Sequence, residues 1–342
     1  MPMQAPISIG GQVIKPGAHE TIDLVVGRLY THNEVTMPVS VIHGKQPGPT
    51  LFVCAAIHGD EINGVEIIRR LLKTPALKKI KGTLLAIPIV NVHGFINKSR
   101  YLPDRRDLNR SFPGSKSGSL AARIAGLFMD EIVSKATHGI DLHSGANHRC
   151  NLPQIRANLD DPATMELAMA FGIPVLLNSE IRDGSLRQAA TDFGIPILVY
   201  EAGEALRFDE ISARNGASGI LRVMRYLEML PPKTTRSRKP IAPVIARSST
   251  WVRTPESGIL RMKIRLGAHV KKGDRLAVVA DPFGGKEFPV ISPNTGIVIG
   301  MNNLPLVNEG EALLHIARFD DPVDVAAMVE ELQDLEEQIF FR

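Results

Sequence analysis

An α/β domain with a mixed, largely parallel sheet and flanking helices, followed by a small all-β module, is the fold this 342-residue sequence predicts. Three observations carry that expectation. From Pro49 to about residue 230, apolar segments of strand length alternate with segments of helical periodicity, the pattern of a strand–helix–strand domain. A basic stretch between prolines then breaks the pattern. Beyond it the chain turns to short strands, many glycines and little helical periodicity.

The N-terminal residues alternate apolar and polar positions, as in Ile22-Asp23-Leu24-Val25-Val26 and Pro38-Val39-Ser40-Val41-Ile42, and read as short strands over 1–45. Residues 51–57 form an apolar run that predicts a buried strand. Residues 61–73 follow as a helix with Ile62, Val65, Ile68 and Leu72 on one face. A strand over 83–90, a helix over 120–136 and a short strand over 139–143 come next. Then come a helix over 165–171, strands near 174–177 and 195–200, and a helix over 218–230. The cluster Lys233-Thr234-Thr235-Arg236-Ser237-Arg238-Lys239 sits between Pro231-Pro232 and Pro240 and reads as a solvated linker. Boundaries of 1–235 for the first domain, 236–320 for the β module and 321–342 for an amphipathic tail helix follow.

Composition narrows the function classes. Forty basic against 36 acidic residues leave a formal charge of +4, but the basic residues are spread along the chain, so no nucleic-acid surface is expected. No apolar run reaches the ~18 residues of a membrane span, and the N-terminus lacks the regions of a secretory signal. Two cysteines, Cys54 in an apolar run and Cys150 in a polar, loop-like stretch, fit a reducing cytoplasm.

Four segments could carry chemistry. In His58-Gly59-Asp60-Glu61, an imidazole and a carboxylate stand three residues apart where a strand becomes a helix, so both can face one cation. Alone, this spacing is common by chance. His143, in Asp141-Leu142-His143-Ser144, ends a short strand and supplies a third ligand, although a hydrogen-bonded strand-end histidine fits as well. The loop from Asn97 to Gly114 carries Arg100, Asn109 and Arg110. Guanidinium groups there can bind carboxylates in pairs of hydrogen bonds, or they can simply be exposed basic side chains. Glu201 closes an apolar strand as a partly desolvated carboxylate, suited to a general base or to a salt bridge; Glu204 competes for that place. The other histidines, among them His148 and His315, have no partner at ligand spacing and read as structural or surface residues.

Together, His58-Gly59-Asp60-Glu61, Arg100, Asp107-Leu108-Asn109-Arg110-Ser111-Phe112-Pro113-Gly114, Asp141-Leu142-His143-Ser144 and Glu201 resemble the succinylglutamate desuccinylase/aspartoacylase family, within the zinc carboxypeptidase clan. The resemblance covers roughly residues 45–230. It implies a zinc-carboxypeptidase-like catalytic domain with one Zn2+ per chain, held by His58, Glu61 and His143. Glu201 would be the general base, Arg100 would polarise the scissile carbonyl, and Asn109 and Arg110 would hold the substrate carboxylate. Arg156 would be a further substrate contact, and Asp107 would orient His58. The implied reaction is removal of an acyl group from a small N-acyl amino acid or related amine. Acetyl-aspartate, succinyl-glutamate and acetylated diaminobutyrate are all admissible. A carboxypeptidase of short peptides and a non-catalytic binding protein stay open, as does a homo-oligomeric state.

The β module is similar to biotinyl/lipoyl-carrier β-sandwiches through its paired turns, Ser292-Pro293 and Leu306-Val307-Asn308-Glu309-Gly310 among them. Lys286 lacks the flank of a modified lysine and Lys263 falls too early. The module is therefore expected to serve oligomerisation or to wall the entrance of a site.

Overall fold

The protein is described by a computed structural model covering residues 3–146, 148–179, 182–232, 243–320 and 322–340, with side chains of the last segment described as far as Glu331. The basic linker lies outside the described residues.

The chain opens with a hairpin of β1 (Ile7–Ile9) and β2 (Gln12–Ile14), then the long strands β3 (His19–Arg28) and β4 (Glu34–His43). The alternating core follows: β5 (Thr50–Ala55), α1 (Asn63–Leu72), β6 (Thr83–Ile87), α2 (Val92–Ile96), α3 (Leu120–Glu131) and β7 (His138–Gly145). Next come β8 (Arg149–Ala157), α4 (Pro162–Phe171), β9 (Val175–Asn178), α5 (Leu186–Asp192), β10 (Ile197–Glu204) and α6 (Glu210–Tyr226). The C-terminal part holds β11 (Val244–Ala246), β12 (Ser248–Arg253), β13 (Gly258–Met262), β14 (His269–Val270) and β15 (Arg275–Ala280). It continues with β16 (Glu287–Ile291), β17 (Gly296–Asn302), β18 (Leu306–Val307), β19 (Ala312–Arg318) and α7 (Pro322–Phe340).

The mixed α/β class holds, but the sheet is less parallel than the sequence suggests. Its backbone path runs β12-β19-β17-β8-β10-β7-β5-β6-β4-β3. Among the described residues five of its pairings are parallel and seven antiparallel. Parallel pairing needs a crossover connection, as between β5 and β6 through α1 or between β8 and β9 through α4, whereas β3 and β4 join by a short turn and pair antiparallel. Strands β5 and β7 are buried along nearly their whole length, because α3 and α5 pack one apolar core on one face while α1, α4 and α6 pack another on the opposite face. A continuous apolar run such as Leu51-Phe52-Val53-Cys54 is what burial on both faces demands.

Several elements depart from the sequence reading. Cys150 lies within β8 rather than in a loop, and α6 starts at Glu210, capped by the Asp209 side chain, eight residues before the expected helix. Helix α5 was not anticipated. The tail helix is present as α7, whose Val325 and Val329 are buried against β17 and its neighbours.

The C-terminal part packs a four-stranded sheet, β16-β15-β13-β18, over the layer β12-β19-β17, with Val252, Leu276, Val298 and Leu314 in the core between them. That second layer is part of the catalytic sheet, since β17 hydrogen-bonds directly to β8. One register row therefore runs Trp251, His315, Gly300, Asn151, Gly203 across five strands. Paired residues point to the same face of a sheet, so side chains of the C-terminal layer are delivered to the face that carries Asn151. No helix among the described residues is long and apolar enough to cross a membrane.

Candidate active site

The strand ends place the predicted residues together. After β5 the backbone turns at Ala56, with φ of 52°, and presents His58; Glu61 follows just before α1. Gly59 is required at this turn, because a Cβ there would fall 2.0 Å from the backbone of Gly94. Gly64 likewise lets α1 seat against Ala55 and Leu142, where a Cβ would come within 2.6 and 2.9 Å of theirs. His143 projects from β7, and Glu201 on β10 is its direct partner in the parallel ladder.

His58, Glu61 and His143 are all buried, and their ligating atoms lie within 4.8 Å of one another. Glu61 is the hub. Its Oε1 stands 2.7 Å from His58 Nδ1 and accepts from Arg100 at 3.1 Å; its Oε2 is 2.9 Å from His143 Nδ1 and accepts from the Ser144 amide at 3.0 Å. On their outer sides, His58 Nε2 meets Asp107 at 3.2 Å and His143 Nε2 meets Asp141 at 2.8 Å. Each histidine thus has its Nε2 engaged by a carboxylate and its Nδ1 turned to one common point, the arrangement that fixes the tautomer of a metal-binding imidazole.

Two features test whether these residues fit a metal. His58 Nδ1 is buried without a hydrogen-bond partner among the described residues: it is close to Glu61 Oε1, but the two are not aligned to bond each other. The charges also fit. Glu61, Asp107 and Asp141 against Arg100 leave two negative charges once the imidazoles are neutral, which one divalent cation balances. Two imidazole nitrogens and a carboxylate oxygen form a donor set suited to zinc. The proton equilibria point the same way. Burial opposes charge on all three groups, yet His58 and His143 draw Glu61 well below the usual carboxylate range, and Glu61 with Asp107 raises His58. For His143, burial is outweighed by Asp141 and Glu61, and its pKa rises well above the ordinary imidazole value.

The remaining predicted residues line the same cavity of about 1410 Å³. Arg100 reaches Asp107 at 3.0 Å as well as Glu61. Burial opposes its charge, but Glu61 and Asp107 hold its pKa above normal. The Asn109 side chain accepts from the Leu186 amide at the start of α5, and exposed Arg110 donates to the Asn109 carbonyl at 2.5 Å. Glu201 accepts from Asn151 Nδ2 at 2.8 Å, with Arg156 4.0 Å away. Glu204 is separated from Glu201 by an irregularity in the ladder and pairs with Asn303 instead. His148 is exposed and stands outside the buried triad. Lys286 lies in the turn between β15 and β16, where its amide bonds to Asp281.

Sequence reasoning passed over several residues of this cavity. Asp141 was legible, because it lies two residues before His143 on one strand and so shares its face. Asn151, Arg182, Arg187, Trp251 and His315 had no local signal; the sheet brings them in from distant segments.

The model of the succinylglutamate desuccinylase/aspartoacylase catalytic domain matches residues 47–227, more than half of the chain. The chain belongs to that family. Relatives of this family member include an N-alpha-acetyl-L-2,4-diaminobutyric acid deacetylase of Halomonas elongata, 26% identical over 294 residues, which are 83% of this chain and 86% of the relative. Its fold is similar to the product-bound ectoine utilization protein EutE (DoeB) of Ruegeria pomeroyi, with a TM-score of 0.78, 26% identity, and coverage of 88% of this chain and 94% of that one. The succinylglutamate desuccinylase/aspartoacylase of Rhodobacter sphaeroides shares the fold at a TM-score of 0.78 and 22% identity, covering 88% and 95% of the two chains.

Proposed function

We propose that this family member is a zinc-dependent amidohydrolase that removes the acyl group from a small N-acyl amino acid or related amine. The observation that carries the reading is the register of Glu201 beside His143: a carboxylate outside the ligand set stands next to a metal-type triad and in the same cavity. The deacetylase name of the Halomonas elongata relative supports an amide of this kind.

His58, Glu61 and His143 would hold the zinc. When bound, zinc supplies Lewis acidity and makes water a nucleophile near pH 7, with its pKa lowered to about 7. Glu201 takes the proton from the attacking water and delivers it to the leaving amine, while Asn151 fixes its carboxylate through the 2.8 Å hydrogen bond. Arg100 has one N–H engaged on each terminal nitrogen, which leaves further N–H groups to donate to the carbonyl oxygen as negative charge develops there. Asn109 and Arg110 receive the substrate carboxylate, with Arg156 as a further contact.

The test is to strip the metal with a chelator and assay N-acetyl and N-succinyl amino acids beside short peptides. Activity on the acyl amino acids is expected to vanish and to return with added Zn2+. Full activity after demonstrated metal removal would rule out the zinc mechanism, and faster cleavage of peptides would favour a carboxypeptidase. A second expectation concerns Asp141. Asp141→Asn should weaken zinc binding by about 10- to 100-fold, the usual effect of losing a carboxylate behind a ligating histidine. Competition against a fluorescent zinc chelator measures it, and unchanged affinity would remove Asp141 from that role.

A further inference from the structure

We propose that a lysine-lined cavity at the end of the sheet opposite the catalytic residues binds a small molecule carrying a polyphosphate group. Such a site would be independent of the deacylase reading.

The fold sets this cavity apart. His58 and Glu61 follow the C-terminal end of β5, whereas the second cavity, of about 1210 Å³, lies near the beginnings of β5 and β6, where His43 at the end of β4 pairs with Thr83. Strand β5 is six residues long, so about 20 Å separates its two ends. Its walls are the segments that follow β4, α1 and α6, and hydrogen bonds tie them together. The Gly44 amide donates to the Gly82 carbonyl at 2.8 Å, the Gly82 amide to Gln46 at 2.9 Å, and the Lys81 amide to Met229 at 2.9 Å. Gly82 has φ of 71°, and a Cβ there would fall 2.1 Å from the Pro49 carbonyl oxygen. The cavity is therefore preformed.

Its charge is one-sided. Among the described residues Lys45, Lys73, Lys78, Lys79, Lys81 and Arg225 line it against a single carboxylate, Glu228. That excess of five compares with a formal charge of +4 for the whole chain. The buried side chains of Leu77 and Ile80 anchor the loop between α1 and β6, and Lys78, Lys79 and Lys81 stay exposed around them. Lys45 lies over Gly17, where a Cβ would come within 2.8 Å of its Cε. Arg225 donates to the Leu221 carbonyl of its own helix at 3.1 Å, but none of the five lysines has an ion-pair partner among the described residues. Like charges gathered in one concavity repel, and a bound anion relieves that repulsion.

The kind of cation says which anion. Among the described residues the catalytic cavity is lined by arginines and no lysine, and this one by five lysines and one arginine. A guanidinium matches a planar carboxylate, whereas an ammonium is a compact point charge whose donors rotate onto phosphate oxygens. A monoanion would leave most of the excess unbalanced; a polyphosphate group supplies several negative charges in one compact unit. Tyr226, also in the lining, is 47% exposed with its hydroxyl bonded to Glu166, and its ring offers a surface to the rest of the ligand, a nucleobase included.

Titration calorimetry of the full-length protein with inorganic tripolyphosphate, ADP and adenosine tests the site. Tripolyphosphate and ADP are expected to bind, to compete with each other and to weaken as salt is raised, while adenosine gives no measurable heat. Equal affinities would mean that the phosphates alone are recognised, and tighter ADP would add the Tyr226 ring; either outcome supports the site. The triple variant Lys78→Gln, Lys79→Gln, Lys81→Gln should raise Kd for both anions about tenfold or more, with zinc content unchanged. Because its catalytic cavity is intact, an anion held there by the zinc or the arginines would still bind the variant as tightly as the wild type. Should the triple variant not fold, Lys45→Gln with Lys73→Gln, taken from two other walls, is expected to show the same loss. The proposal is overturned if neither anion binds, or if the variants bind them as the wild type does. It is overturned too if a single-stranded oligonucleotide binds far more tightly than ADP, which would make this face a nucleic-acid surface.

Discussion

Glu201→Gln is expected to retain its zinc and to lose about 10²- to 10⁴-fold in kcat, the usual contribution of a positioned general base. The substitution preserves shape. The glutamine side-chain oxygen can still accept from Asn151 Nδ2, which now holds the Glu201 carboxylate at 2.8 Å, so the cavity keeps its form while the proton acceptor is lost. KM should change little, because neither Asn109 nor Arg110 depends on Glu201 for its own contacts. Zinc content by mass spectrometry and single-turnover assays separate the effects. A variant retaining activity within a few-fold of wild type would remove Glu201 from proton transfer. Loss of zinc together with activity would show that Glu201 acts on the metal site instead.

Glu61→Ala should be more damaging, and differently so. It takes away the one carboxylate of the triad and also the group on which Arg100, the Ser144 amide and both imidazoles converge. Zinc content is expected to fall to background and activity with it. The metal-free variant should also melt below metal-free wild type, because Arg100 loses one of its two anionic partners in a largely buried setting; breaking such a pair typically costs about 3–5 kcal/mol. Calorimetry of both proteins in the same chelator measures the difference. Equal melting temperatures would mean that Glu61 contributes nothing to the metal-free fold.

The two expectations differ in how readable their residues were. His58 and Glu61 are three positions apart and meet across a turn just ahead of α1, where the Glu61 amide donates to the His58 carbonyl at 3.1 Å, while Asp141 and His143 are two apart on one strand, so short spacing alone brings each pair together. Glu201 stood out as a carboxylate ending an apolar strand. Its register with His143 could not be read, because pairing between β7 and β10 is set by packing across the whole sheet. The same limit explains the sheet. Parallel strands were foreseen from the strand–helix alternation, whereas β8 went unseen: its Arg149, Asn151 and Arg156 supply polar groups to a cavity, so the apolar run of a buried strand is missing. The eight residues lost at the start of α6 have a similar origin. Asn215, Gly216 and Gly219 weaken its helical signal, and the space at the two glycines is filled by Ile67, Tyr200 and Phe171 from other elements. His315 is the extreme case, since nothing nearby in the chain marks it.

The bond from Gln154 to the carbonyl of Ile299 joins residues 145 positions apart, and it lies in the same seam where β17 meets β8. A ribosome that has released residues 47–227 has made every triad and base residue, but not yet the strand that covers this edge of β8. Until β17 arrives, the nascent chain carries an open sheet edge beside its cavity, of the kind that invites pairing with other chains. Contacts so distant along the chain are also slow to form.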